Sequence, residues 1–132
     1  MTKLATLRHD DGVHLRPEPL IALYAELGDL AADRAVCRAL GDIAARVADM
    51  RRLAEAAMPQ GRAALIRCGR ALARAATGLG MVTLAQVAQD VVAAALAGDA
   101  AARAATLARL ERVGDRSLHA IWDLQDVTGT PG

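Results

Sequence analysis

Apolar residues recur every three or four positions along almost all of this 132-residue chain, which is the spacing of one face of an α-helix. No stretch alternates apolar and polar residues with the β-branched enrichment of a strand. The pattern therefore predicts an all-α protein. A chain of this length buries a single core, so we expect one domain, with a loose N-terminus over 1–16, a helical bundle over 17–126 and a tail over 127–132.

The first predicted helix is short and is delimited by prolines and a glycine. Pro17 and Pro19 fit only the start of a helix, because proline lacks the amide hydrogen that a helix interior needs. Gly28 is placed to end this helix. Its apolar face consists of Leu20, Leu23 or Tyr24, and Leu27.

The second predicted helix is the longest amphipathic pattern and has one continuous apolar seam. Asp29 is placed to cap its start. The sequence "MPQG" at 58–61 predicts a turn, since proline cannot continue a helix, and the third helix is expected to begin near Arg62. The seam runs through Val36, Leu40, Ile43, Val47, Met50, Ala54 and Ala57.

The third predicted helix has an apolar face and a basic face. At about 100° per residue, Arg67, Arg70 and Arg74 gather on the side opposite the apolar residues. These arginines therefore form one outward stripe, and we take them as candidate partner-binding residues. The alternative is that the stripe is simply the solvated face of an amphipathic helix. The apolar face consists of Leu65, Cys68, Leu72, Ala76 and Leu79.

Glycines separate the last two predicted helices. The sequence "GLG" at 78–80 breaks the third helix, and Gly98 stops the fourth. Thr83 and Gln86 have the spacing of a capping box at the start of the fourth helix. The residues predicted to face inward in this helix are Leu84, Val87, Val91 and Ala95.

The last predicted helix follows Gly98, with Asp99 placed as its cap. We expect a kink or break at Gly114-Asp115. Its inward residues are Leu107, Leu110, Val113, Leu118, Ile121 and Leu124.

Short connections between the four longer helices favour an antiparallel up-down four-helix bundle, with the short N-terminal helix packed at one end. Much of the predicted core is alanine, which buries little area per residue. An interface with a second copy can supply the missing burial, so we expect that the chain is able to form a homo-oligomer.

Charge and composition argue against several classes of partner. The formal net charge is +1, from 16 basic and 15 acidic residues, so no overall field draws the chain to nucleic acid or to a membrane surface. Tyr24 and Trp122 are the only aromatic residues, which is too few for a base-stacking surface. The N-terminus lacks the apolar core of a signal peptide, and no apolar run is long enough for a membrane span. We therefore expect a cytoplasmic protein.

No pattern of catalytic or metal-binding residues is present. The three histidines, His9, His14 and His119, are dispersed and lack metal-ligand spacing. Cys37 and Cys68 form no C-x-x-C pair and are predicted to be buried, reduced thiols. Phosphate-binding glycine loops and nucleophile elbows are missing. We expect no metal, no cofactor and no enzymatic activity.

The sequence "GRALARAATGLGMVTLAQVAQDVVAAALAGD", from Gly69 to Asp99, resembles the histidine phosphotransfer (HPt) domains of bacterial phosphorelays, and the resemblance covers roughly 31–126. It implies a four-helix bundle with a phosphorylated histidine outward on a central helix, within H-x-x-K-G and followed by L-G. Setting Leu79-Gly80 on that L-G places Arg70 at the histidine, Ala73 at the lysine and Arg74 at the glycine. Other positions that keep the family's pattern are Leu65, Leu72, Gly98 and Asp99.

The three replacements remove the family's chemistry. A guanidinium stays protonated and has no free lone pair to attack phosphorus, so Arg70 cannot accept a phosphoryl group. Ala73 lacks the lysine's charge, and Arg74 adds bulk where the family has glycine. The resemblance therefore implies a non-catalytic module that docks to a response-regulator receiver or a histidine kinase of a two-component phosphorelay. An arginine in the histidine's place can contact the acidic pocket of a receiver.

Two alternatives stay open. The chain can be a structural or self-associating helical bundle without a signalling role, because a fold does not dictate a function. It can also be an active phosphotransfer protein that uses His14 or His119. The sequence "HLRPEPL", from His14, resembles the H-E-L-R-T-P-L box of sensor histidine kinases, but Pro17 and Gly28 leave no room for the long helix of that family. We therefore predict that His14 is a loop residue.

Overall fold

The computed structural model describes residues 12–55 and 60–129. These residues form five helices, α1 (Glu18–Leu27), α2 (Asp29–Glu55), α3 (Gln60–Gly78), α4 (Val82–Ala97) and α5 (Ala100–Gly129). No strand occurs in this part of the chain, and its only bridge of strand type joins Leu15 to Met81. The prediction of an all-α protein is confirmed. None of the described helices is long and apolar enough to cross a membrane.

Most of the predicted helix ends are confirmed. Gly28 follows α1 with a φ of 83°, and Gly98 follows α4 with a φ of 69°. The carboxylate of Asp99 accepts a hydrogen bond of 3.0 Å from the amide of Ala102, as a cap at the start of α5 should. Helix α3 begins at Gln60, two residues earlier than predicted. Residues 56–59, which include Ala57 and the first half of "MPQG", lie outside the described residues.

The predicted capping box of α4 and the predicted break in α5 are wrong. Thr83 and Gln86 form no capping box, since α4 starts without a side-chain cap. The Thr83 hydroxyl instead accepts the amide of His14 at 2.7 Å, and the Gln86 amide donates to Asp90 at 3.2 Å. Helix α5 is unbroken at Gly114-Asp115 and continues to Gly129, into the predicted tail.

Residues 12–16, which we expected within a loose N-terminus, are packed against the loop between α3 and α4. Val13 and Leu15 are buried. The amide of Arg16 donates to the carbonyl of Gly80 at 2.8 Å, and the amide of Val82 donates to the carbonyl of His14 at 3.1 Å. We call residues 12–16 the N-terminal strap. Residues 1–11 and 130–132 lie outside the described residues.

The core forms where the helices contact one another. Helix α2 packs on α3, α3 on α4, α4 on α5 and α5 on α2, while α1 packs against α2 and α5. Most of the predicted inward residues are buried, among them Leu40, Leu72 and Leu110. Leu27 is the clear exception, at 44% exposed. Partly buried members of the predicted faces are Leu23, Val47, Ala54, Cys68, Leu107 and Leu118.

A polar cluster joins α1 to α2 and α5. The buried Tyr24 hydroxyl donates a short hydrogen bond to the Asp33 carboxylate and accepts one of 2.9 Å from Gln125. The Gln125 amide also donates to Asp33 at 3.3 Å. Burial and donation to Asp33 raise the pKa of Tyr24 above its ordinary value. The cluster thus holds α1 where α2 begins and α5 approaches its end.

Candidate partner-binding site

The three arginines predicted as an outward stripe all lie on the exposed face of α3. Arg67, Arg70 and Arg74 are exposed, whereas Leu72 and Ala76 on the opposite face are fully buried. Residues three and four positions apart are neighbours on a helix surface, so the three guanidinium groups project from one side. We call these three residues the arginine stripe.

The arginine stripe has no partner among the described residues, where none of its members forms an ion pair or a side-chain hydrogen bond. Other arginines do, such as Arg46, whose guanidinium donates to Asp42 at 2.9 Å. Helix α3 contains four arginines and no acidic residue, so no ion pair of the Arg46–Asp42 kind can form within it. The positive charge of this surface is therefore available to an external carboxylate or phosphate.

An open groove of about 580 Å³ lies beside the stripe, between α3 and α4. Arg74 and Arg16 are exposed residues of its lining, and Ala73 and Ala85 contribute buried and half-buried surface. The N-terminal strap supplies one wall through Arg16. None of the lining residues is acidic. We call this feature the α3/α4 groove.

The positions aligned with the HPt motif are thus distributed over two adjacent surfaces. Arg70 and Arg74 are on the arginine stripe, and Ala73 lies at the α3/α4 groove, where it is 3% exposed. No family model matches this chain, and no curated protein and no solved structure is significantly similar to it. The assignment of these positions therefore depends on the motif and on their placement in the structure.

The two described histidines lie on different elements. His14 is exposed in the N-terminal strap, as predicted for a loop residue, and its backbone bonds to Val82 and Thr83. His119 is exposed on α5, where its Nδ1 is 2.9 Å from the carbonyl oxygen of Asp115. Its ring meets the Trp122 ring edge-on, with centroids 5.4 Å apart. His9 lies outside the described residues.

The cysteines differ from the prediction in one case. Cys37 is exposed rather than buried. Cys68 is half-buried, and its thiol is 3.6 Å from the carbonyl oxygen of Arg46. Burial raises the pKa of the Cys68 thiol, which favours its protonated form. Across 12–55 and 60–129, no group of three or more His, Cys, Asp or Glu residues is placed to hold a metal ion.

Sequence reasoning missed the α3/α4 groove and the close contact between α3 and α4 at Gly69. At Gly69, a Cβ atom would lie 2.6 Å from Cγ2 of Val92 and 3.2 Å from the methyl group of Met50. A glycine inside a strongly amphipathic helix was the one available signal, since it weakens the helix unless close packing requires it.

Proposed function

We propose that this protein is a non-catalytic, HPt-like module that docks to a response-regulator receiver or a histidine kinase of a two-component phosphorelay. The observation that carries the proposal is the arginine stripe, which is exposed, has no partner among the described residues and includes the position of the family's histidine. A helix with four arginines and no acidic residue is suited to an acidic partner.

The helix contacts support an antiparallel up-down four-helix bundle of the HPt type. Arg62, near the start of α3, donates to the carbonyl of Ala95 at the end of α4, at 2.8 Å. Asp33, near the start of α2, bonds to Gln125, near the end of α5. The two helices of each pair, α3 with α4 and α2 with α5, therefore run antiparallel. Helix α1 is the extra element and packs on α2 and α5.

The chemistry of the stripe favours docking over phosphotransfer. A guanidinium forms two parallel hydrogen bonds with a carboxylate, and it stays charged at every physiological pH. The acidic pocket that the resemblance implies for a receiver fits such a group. In the same position an imidazole would accept the phosphoryl group, which Arg70 cannot do.

A binding assay with a matched pair of charge reversals tests the proposal. The purified chain is titrated with the receiver domains and kinases of its source organism. We expect Arg70→Glu/Arg74→Glu to weaken the binding of a cognate partner at least about tenfold. The control, Arg34→Glu/Arg38→Glu, makes the same charge change at the same spacing, on exposed positions of α2 that form no ion pair among the described residues.

The control is expected to change affinity by less than about threefold, through long-range electrostatics alone. Equal losses in the two double variants would assign the effect to net charge and contradict a specific site. Unchanged affinity of the Arg70/Arg74 variant, with helicity verified by circular dichroism, would end the proposal.

A structural or self-associating role is the second candidate, and exposed apolar side chains favour it. Leu30 is 66% exposed, Ile21 51% and Trp122 49%. Large apolar side chains at a surface are suited to an interface with another copy. Light scattering on the purified chain distinguishes the two roles, because a stable oligomer that covers these residues would favour the structural role.

A further inference from the structure

The α3/α4 groove is built from three separate parts of the chain. Arg16 belongs to the N-terminal strap, Ala73 and Arg74 to α3, and Ala85 and Gln89 to α4. Its volume of about 580 Å³ lies within the range of clefts that bind ligands, about 300–1,000 Å³. The strap is fixed by its hydrogen bond to Gly80, so the groove is formed before any ligand arrives.

The surface of the groove combines an apolar floor with a basic rim. Ala73 and Ala85 provide buried and half-buried methyl groups, while Arg74 and Arg16 are exposed. Arg74 has no ion pair among the described residues. Arg16 lies 3.7 Å from Glu18, with both side chains more than half exposed, and such a pair contributes little. Arg74 is thus unpaired in this part of the chain, and the exposed Arg16 guanidinium can exchange its weak contact with Glu18 for an external carboxylate.

Two uncharged polar side chains of the groove, Thr77 and Gln86, already form hydrogen bonds within the protein. The Thr77 hydroxyl donates to the carbonyl of Ala73 at 2.8 Å, and the Gln86 amide donates to Asp90. Small-molecule sites depend on convergent polar groups that fix the ligand's orientation. Neither aromatic residue of the chain lines the groove, so it offers no stacking surface for a nucleobase.

We propose that the α3/α4 groove binds an acidic segment of a protein partner, with one apolar side chain on the Ala73–Ala85 floor and flanking carboxylates on Arg74 and Arg16. The inference rests on the proposed function and names the chemistry of the partner at that surface. Charge complementarity supports it, because no acidic residue lines the groove or belongs to α3. The apolar contact adds selectivity that the arginine stripe alone does not provide.

Nuclear magnetic resonance titration with synthetic peptides tests this without requiring a known partner. One peptide carries a central leucine flanked by glutamates, and the other has serine in place of the leucine. In Ala85→Leu the groove floor is filled, whereas the control Ala93→Leu makes the same change at an exposed position of α4 outside the groove lining. Amide shifts are followed for each protein and peptide.

We expect the leucine peptide to bind the wild type and Ala93→Leu at least about fivefold more tightly than the serine peptide. Ala85→Leu should remove this difference, and Arg74→Glu should weaken both peptides. Equal affinities for the two peptides, or equal behaviour of Ala85→Leu and Ala93→Leu, would overturn the inference. If Ala85→Leu fails to fold, Gln89→Trp obstructs the groove from an exposed position and gives the same comparison.

The peptide result and the receiver assay can fail separately. Leucine-dependent peptide binding without any receiver or kinase binding would leave the groove inference standing and remove the proposed function. If Arg70→Glu/Arg74→Glu abolishes receiver binding but the two peptides bind the wild type equally, the proposed function stands and the groove inference is overturned.

Discussion

The amide of Arg16 donates a hydrogen bond of 2.8 Å to the carbonyl of Gly80, and this contact attaches the N-terminal strap to the loop between α3 and α4. Gly80 has a φ of 79°, and a Cβ atom there would collide with the carbonyl oxygen of Arg16. Only glycine adopts this left-handed backbone without strain and also has no Cβ atom to collide with Arg16. The glycine of the L-G motif is therefore required here for packing, and through Arg16 it also determines one wall of the α3/α4 groove.

Replacing Gly80 with alanine should destabilise the fold and displace the N-terminal strap. The left-handed backbone and the collision with Arg16 together should lower the free energy of unfolding by at least about 2 kcal/mol. Urea unfolding measures this loss. Gly78→Ala is the control, because a Cβ there meets nothing within 4 Å; a comparable loss in that variant would contradict the explanation.

Gly69→Ala should also be destabilising, for a steric reason. The new methyl group would lie 2.6 Å from Cγ2 of Val92, and overpacking of this kind costs about 1–3 kcal/mol. Thermal unfolding of Gly69→Ala, Val92→Ala and the double variant tests the contact, since the double variant should lose less than the sum of the two. If the losses of the two single variants simply add in the double variant, Val92 is not the residue that the new methyl group strikes.

Gly41→Ala is the control, because a Cβ atom at this position of α2 meets nothing within 4 Å. This variant should raise the free energy of unfolding by up to about 1 kcal/mol.

Tyr24→Phe should lower the free energy of unfolding by about 1–2 kcal/mol at neutral pH, because it removes the donor to Asp33 and the acceptor for Gln125. Chemical unfolding of both proteins gives the difference. A loss near zero would mean that the polar cluster does not contribute to the attachment of α1.

The effect of Tyr24 should depend on pH in one direction. Burial and the hydrogen bond to Asp33 raise its pKa above 10.0 in the folded state, so the folded state holds the proton more tightly than the unfolded chain. The resulting stability is complete below pH 10.0 and is lost as the pH rises through the folded-state pKa. The stability difference between wild type and Tyr24→Phe should therefore shrink above pH 10. Cys68 is common to both proteins and cancels in this comparison.

Ser117→Ala should stabilise the protein. Ser117 is fully buried on α5, and its hydroxyl has no hydrogen-bond partner within residues 12–55 and 60–129. Removing an unsatisfied buried hydroxyl should raise the free energy of unfolding by about 1 kcal/mol. Ser117→Thr, which keeps the hydroxyl and adds a methyl group to a filled site, should lower it. Differential scanning calorimetry distinguishes these two signs, and a destabilised alanine variant would indicate that the hydroxyl is satisfied.

If the proposed function holds, phosphotransfer should be absent from the wild type and should appear when the HPt motif is introduced. Incubated with a phosphorylated receiver, the wild type should acquire no acid-labile phosphate. Arg70→His/Ala73→Lys/Arg74→Gly introduces the acceptor, the charge and the small residue of that motif, and should acquire label. Label on the wild type that disappears in His14→Ala or His119→Ala would instead support phosphotransfer through one of those residues.

The helices of this protein are largely predictable from local patterns in its amino-acid sequence. Helical periodicity placed the buried residues of α4 on one face and the arginine stripe on the other side of α3 from Leu72 and Ala76. Glycines and Asp99 marked helix ends, because positive φ angles and capping bonds involve residues only a few positions apart. The exposure of the stripe was predicted from the same periodicity, whereas the lack of an ion pair with another helix was not.

Which helix faces are covered, and what fills the spaces between helices, depend on long-range packing that local patterns do not reveal. The Thr83 hydroxyl accepts a hydrogen bond from the amide of His14, 69 positions away. A capping pattern considers only neighbouring residues, so it could not predict this bond. Leu27 belongs to a predicted apolar face but is exposed, because periodicity shows which residues share a face and not whether another helix covers that face. Cys37 was predicted to be buried because free thiols usually are, yet it is exposed. The α3/α4 groove exists because the N-terminal strap crosses from a distant part of the chain, and contacts of that kind depend on three-dimensional packing rather than on local spacing.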